Sequence, residues 1–211
     1  MCCLAAGWDG AVKNLSARMP EVAAEACSRA AAEVPWRWDI WKDATTRALF
    51  PFPVTEFDGF PADLCGRKRE PGATRDEKML FFRSAKLGRE VACESGMEYK
   101  VMAWLETTPD VTWFQEQPVV VPYRLHGRDR RYYPDVAALD RDGRCYIIEV
   151  KPVHGMYREQ TLAKALACLD YVGERGMGYL LVDHRGYTVA DYASAPFDTA
   201  IADEIDTLID E

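Results

Sequence analysis

The sequence predicts an α/β fold, a mixed β-sheet flanked by helices, and three observations carry that expectation. Strand-like and helix-like segments interleave from residue 80 to residue 183 instead of segregating into blocks. Two strand-like runs, residues 132–139 and 144–151, are joined by Arg141-Asp-Gly143, a strong hairpin turn. A second amphipathic helix then separates that hairpin from the apolar strand at residues 178–182.

The elements follow in chain order. Residues 9–34 are alanine-rich, with Val12, Leu15, Val22, Ala26 and Ala30 at helical spacing, and Pro20 divides them into two short helices. Trp36, Trp38 and Trp41 form a tight aromatic cluster, a docking seam between this part and the core. Residues 51–78 are rich in Pro, Gly and charge and predict an irregular connector. Residues 80–85 and 89–93 predict a strand pair around Gly88. A helix starts at Ser95, carries Val101, Met102, Trp104 and Leu105, and stops before Pro109. Strands are expected at 111–114 and 119–123, then in the hairpin, and a helix at about 157–173 with Leu162, Leu166 and Leu169 on one face. Phe197, Ile201, Ile205, Leu208 and Ile209 predict a closing acidic amphipathic helix. The expected organisation is an N-terminal extension and connector (1–78), a core (79–192) and an acidic C-terminal helix (193–211).

Composition narrows the function classes. Of 211 residues 48% are hydrophobic and 28% charged, which places the chain among folded globular proteins. No apolar run reaches the ~18–20 residues that span a bilayer, and the first residues lack the layout of a secretory signal. Seven cysteines without a CxxC read as reduced thiols, so the expected location is cytoplasmic, with no membrane association. His126, His154 and His184 are too scattered for a ligand cluster. The net charge of −8 is uneven. Residues 191–211 hold seven acidic residues and no basic ones, while residues 66–131 hold thirteen Lys or Arg against ten Asp or Glu. A basic middle beside an acidic tail is compatible with a DNA partner.

The chemistry concentrates in residues 132–152. If the turn spans 141–143 with Gly143 left-handed, Asp135 lies opposite Glu149, and strand alternation puts Lys151 on the same face. Val136, Ala138, Tyr146, Ile148 and Val150 then form an apolar opposite face. Two facing carboxylates repel, and a divalent cation removes that conflict. Mg²⁺ (or Mn²⁺) prefers a few carboxylates plus water and phosphate oxygens, and would lower the pKa of a bound water. Lys151 beside them would orient the attacking water or stabilise developing charge. Such a face suits phosphodiester hydrolysis.

Pro134-Asp135, thirteen intervening residues and Glu149-Val-Lys151 together resemble the PD-(D/E)xK nuclease superfamily, which implies a restriction-endonuclease-like core. Pro109-Asp110 and Glu98-Tyr-Lys100 are decoys of the same strings, at a helix exit and on a helix. The wider order, with Arg89-Glu-Val-Ala-Cys-Glu-Ser-Gly-Met-Glu98 before a helix and Gln115-Glu-Gln-Pro118 before an apolar strand, resembles the catalytic domain of TnsA-type transposon endonucleases over residues 80–183. The resemblance implies a metal-dependent endodeoxyribonuclease, with Asp135, Glu149 and Glu98 as metal ligands and Lys151 as the fourth catalytic residue. Ser95-Gly-Met-Glu98 is equally a capping box, and Glu94 is the alternative third acid. Gln117 and Gln160 are candidate polar helpers; Tyr157 and Lys164 lie on the same helix as Gln160. Arg83, Lys86, Arg89, Arg124, Arg128, Arg130 and Arg131 are candidate phosphate contacts.

The resemblance leaves residues 1–78 uncovered, and a short acidic helix stands where transposon-end endonucleases carry a further domain. The expected partners are DNA, a second copy of the chain, and proteins docking on the acidic C-terminal helix and the Trp36/Trp38/Trp41 cluster. Two other classes share these features: a silent nuclease fold used for binding or assembly, and a nuclease acting on RNA or branched DNA.

Overall fold

The computed structural model describes residues 54–70, 79–183 and 185–188, together with Thr45, Ala48 and Asp191. The helices expected in residues 9–34, the tryptophan cluster, residues 71–78 and the acidic helix expected from residue 193 lie outside the described residues.

The first strands among the described residues form an antiparallel pair, β1 (Leu80–Arg83) and β2 (Glu90–Cys93), as the sequence predicts. Helix α1 (Gly96–Thr107) follows, with Ser95 as its cap: the Ser95 hydroxyl accepts the Glu98 amide. Next come β3 (Val111–Glu116), β4 (Val121–Leu125), β5 (Arg128–Tyr132), β6 (Val136–Asp140) and β7 (Cys145–Val150). A helical turn, α2 (Val153–Met156), leads into α3 (Glu159–Gly173), and β8 (Gly178–Val182) completes the order.

The central sheet runs β3-β6-β7-β8. Its first three strands are antiparallel neighbours, and β8 returns through α3 to lie parallel to β7, so the sheet is mixed and its helices flank it. Strand alternation divides the core cleanly. Val136, Ala138, Tyr146, Ile148, Val150, Leu180 and Val182 pack with α1 through Val101, Met102 and Leu105. Ala137, Leu139, Cys145, Ile147, Tyr179 and Leu181 face α3 and the β4-β5 ribbon. Both faces are therefore buried, which is why β6 and β7 read as near-continuous apolar runs. Removing the side chain of a residue such as Ile147 would cost ~2–5 kcal/mol.

The β6-β7 hairpin has the register expected of it, with Val136 opposite Ile148 and Leu139 opposite Cys145. Asp140 builds the turn, its carboxylate accepting the amides of Asp142 and Arg144. Gly143 closes it at φ +74°, and a Cβ there would come within 3.0 Å of the Phe57 carbonyl oxygen.

Three features depart from the sequence expectation. Tyr132 does not open the hairpin strand: it ends a separate strand, β5, paired with β4 around His126-Gly127, both at positive φ. Arg128-Asp-Arg-Arg131 has no apolar alternation to mark it as a strand. Secondly, α3 buries the leucine face only in part: Leu162 and Leu169 are half-buried, Leu169 against the core. Leu166 is 52% exposed, while Thr161, Ala165, Cys168 and Val172 are buried, because small side chains let the helix lie close to the sheet. Thirdly, residues 54–70 hold only a 3₁₀ turn (Ala62–Leu64) but are tied to the core. Leu64 is fully buried, and the Thr55 and Phe57 amides donate to the Gly176 and Gly143 carbonyls.

Candidate active site

Asp135 sits one residue before β6 and is held by the strands on either side. Its carbonyl accepts the Gln117 amide at 2.9 Å, and its Oδ2 accepts the Val150 amide at 2.7 Å. Glu149, in the middle strand β7, is 2% exposed. Lys151 follows β7 and its amide donates to the Val182 carbonyl, which prolongs the β7-β8 pairing past the site. The Lys151 Nζ lies 2.6 Å from Glu149 Oε1 and 3.7 Å from Asp135 Oδ2, so the ammonium bridges the two carboxylates. Asp135, Glu149 and Lys151 are thus brought together at the end of the central strands.

The electrostatics follow from burial. Desolvation, and then the charge of Glu149, push the Asp135 carboxyl well above the usual range, against the pull of Lys151 and the Val150 amide. Burial would lower the Lys151 ammonium, but the charges of Asp135 and Glu149 outweigh it and hold its pKa above the ordinary lysine value. Burial also raises Glu98, opposed by hydrogen bonds from the Glu94 amide and Ser95. One ammonium thus serves Asp135 and Glu149, with Glu98 close enough to feel the same charges.

Glu98 does cap its helix. Its carboxylate accepts the Glu94 amide at 2.9 Å and the Ser95 hydroxyl at 3.1 Å, reaching one residue further back than a standard capping box. Glu94 is engaged elsewhere, in ion pairs with Arg67 (2.7 Å) and Arg69 (3.4 Å) from the 54–70 segment. Among the described residues no three Asp, Glu, His or Cys side chains converge as a ready-made metal cage. The donor set nevertheless suits a hard divalent cation: two neighbouring carboxylates, under-compensated by one lysine, with room left for water and phosphate oxygens in the coordination of Mg²⁺.

The remaining predicted residues divide. Gln117 is next to Asp135 across the sheet, at φ +42°, with a buried Oε1 that has no hydrogen-bond partner. Gln160 donates to the Tyr123 hydroxyl at 3.0 Å. Arg89 forms a two-pronged ion pair with buried Glu116, and Lys86 donates to the Leu105 and Thr108 carbonyls at the end of α1, so both have partners within the fold. Arg83 is exposed on β1, and Arg124, Arg128, Arg130 and Arg131 are exposed on the β4-β5 ribbon. Sequence reasoning passed over Tyr132, whose buried hydroxyl donates to Glu149 Oε2 at 2.6 Å.

A mixed sheet between α1 and α3, with Pro-Asp and Glu-x-Lys meeting across a hairpin, defines a restriction-endonuclease-like core. Residues 108–184 match the family model described as TnsA-like endonuclease N terminal, a span that contains Asp135, Glu149 and Lys151 and begins after Glu98. The chain carries a TnsA-like nuclease-fold domain. It is also similar to the head completion nuclease of Enterobacteria phage T4, with 29% identity over 66 residues. That alignment takes in 30% of this chain and 44% of the relative, so the chain spans less than half the length of the relative it matches. No helix among the described residues is long and apolar enough to cross a membrane.

Proposed function

We propose that this protein is a metal-dependent endonuclease that hydrolyses DNA phosphodiester bonds. The observation that carries the proposal is the bridging of buried Asp135 and Glu149 by Lys151 in the hairpin of a TnsA-like domain. Asp135 and Glu149 would hold Mg²⁺ or Mn²⁺, with Glu98 assisting after it gives up part of its cap or through a water. When bound, the cation supplies Lewis-acid polarisation of the phosphoryl oxygens and a more acidic water.

The chain's own groups then have separable tasks. The Val150 amide fixes the Asp135 carboxylate through Oδ2. Lys151 is the least buried of the three: its side chain is 27% exposed, whereas those of Asp135 and Glu149 are 11% and 2% exposed. Its ammonium, on the solvent side of the pair, would orient the attacking water or stabilise charge developing on the phosphate. Arg124, Arg128, Arg130 and Arg131, with Arg83, would hold the DNA backbone without reading its sequence.

The test is incubation of the full chain with supercoiled plasmid and Mg²⁺, Mn²⁺ or EDTA, beside Glu149→Ala and Lys151→Ala. Metal-dependent nicking or linearisation that both substitutions abolish is the expected result. A folded protein that leaves plasmid intact with either metal contradicts it.

A further inference from the structure

Glu149 is held at both of its oxygens. Lys151 takes Oε1 at 2.6 Å, and the Tyr132 hydroxyl takes Oε2 at the same distance from the opposite side. Tyr132 is 2% exposed and comes from β5, outside the central sheet. The Lys164 ammonium of α3 lies over its ring, 5.2 Å from the centroid. That contact packs the ammonium on the ring face and helps fix the ring's position. An ordinary packing tyrosine would satisfy its hydroxyl on a backbone carbonyl or on water. This one is aimed at the most buried acid of the site.

We infer that Tyr132 is a positioning residue for Glu149: it occupies Oε2 and locks the carboxylate rotamer, so that Oε1, the oxygen Lys151 holds here, is the one that would be offered to a cation. The inference rests on the proposed nuclease function. Partners behind a metal ligand typically matter ~10–100-fold for affinity or activity, because they set the ligand's orientation.

The test is Tyr132→Phe in the full chain, which removes the hydroxyl and keeps the ring. Mn²⁺ affinity, read from the free-ion EPR signal during titration, is expected to fall by about tenfold or more. Turnover on plasmid should fall with it, while duplex affinity in EDTA stays within about twofold, since every phosphate-binding cation is kept. If Tyr132→Phe only lowers the melting temperature, with Mn²⁺ affinity and turnover as in the unaltered chain, Tyr132 is a structural residue and the inference fails alone. If the unaltered chain itself takes up no Mn²⁺, the nuclease proposal fails and this inference goes with it.

Discussion

The Val150 amide donates to Asp135 Oδ2 at 2.7 Å, across the hairpin from one strand end to the next. A backbone donor normally spent on a strand ladder is thus turned onto a side chain, and it holds a carboxylate where burial disfavours its charge. A group held so tightly and compensated so incompletely has measurable consequences.

Ionised Asp135 should weaken the metal-free fold. Its folded pKa is raised, so the penalty is absent below about pH 4, where the carboxyl is protonated in both states, and grows as pH rises toward the folded value. In EDTA around neutral pH, Asp135→Asn should therefore raise Tm, by roughly 2–4 °C for ~1 kcal/mol in a chain of this size, while abolishing cleavage. In acid the gain should vanish. Thermal melts across pH check this, and a variant that melts at or below the parent at neutral pH would contradict it.

Lys151 acts as the internal counter-charge of the pair. Lys151→Met leaves two buried carboxylates facing each other and should cost ~3–5 kcal/mol in EDTA. Adding Mn²⁺ should then restore more stability than it adds to the parent chain, because the ion replaces the missing charge. Equal metal-induced shifts in Tm would argue that the ion binds elsewhere.

The 54–70 segment holds the start of α1 through Glu94. Arg67 donates to the Ala92 carbonyl and to Glu94, with Arg69 as the second cation. Arg67→Met should destabilise by ~3 kcal/mol by stranding a buried acid, and Glu94→Gln in the same chain should recover at least ~1 kcal/mol of that. Denaturant titrations of the two single variants and the double variant measure the coupling; strict additivity would refute it.

Duplex binding should be carried by the β4-β5 ribbon. With Glu149→Gln to silence cleavage, replacing Arg128 and Arg131 by Ala should lower affinity at low salt. The slope of log affinity against log salt should fall by ~0.9 for each phosphate that is no longer neutralised. An unchanged slope would remove the ribbon from the DNA interface.

The central sheet and the Asp135, Glu149 and Lys151 face were legible because a strand pattern of period two and one left-handed glycine leave a single register that buries Val136, Ala138, Tyr146 and Ile148 together. The partners of charged residues were not legible. Arg89 and Arg131 look alike as letters, yet one closes on buried Glu116 and the other faces solvent. Tyr132 was missed for a related reason: its bond to Glu149 joins two different sheets, and no local spacing encodes that. Leu64 anchors a segment whose Pro and Gly content suggested only a connector. Glu98 was legible as a capping residue, and its carboxylate sits on the cap.

With both faces of β6 and β7 buried, nearly every position near the acids is already committed to packing. Variation that retargets the protein must therefore accumulate at its periphery, above all at the solvent-facing tip of the β4-β5 ribbon. Residues 124–131 could be exchanged for another sequence while the Asp135, Glu149 and Lys151 face is left untouched. The graft has a natural boundary at Tyr132, where the arm proposed to meet the substrate and the centre proposed to cut it share one side chain.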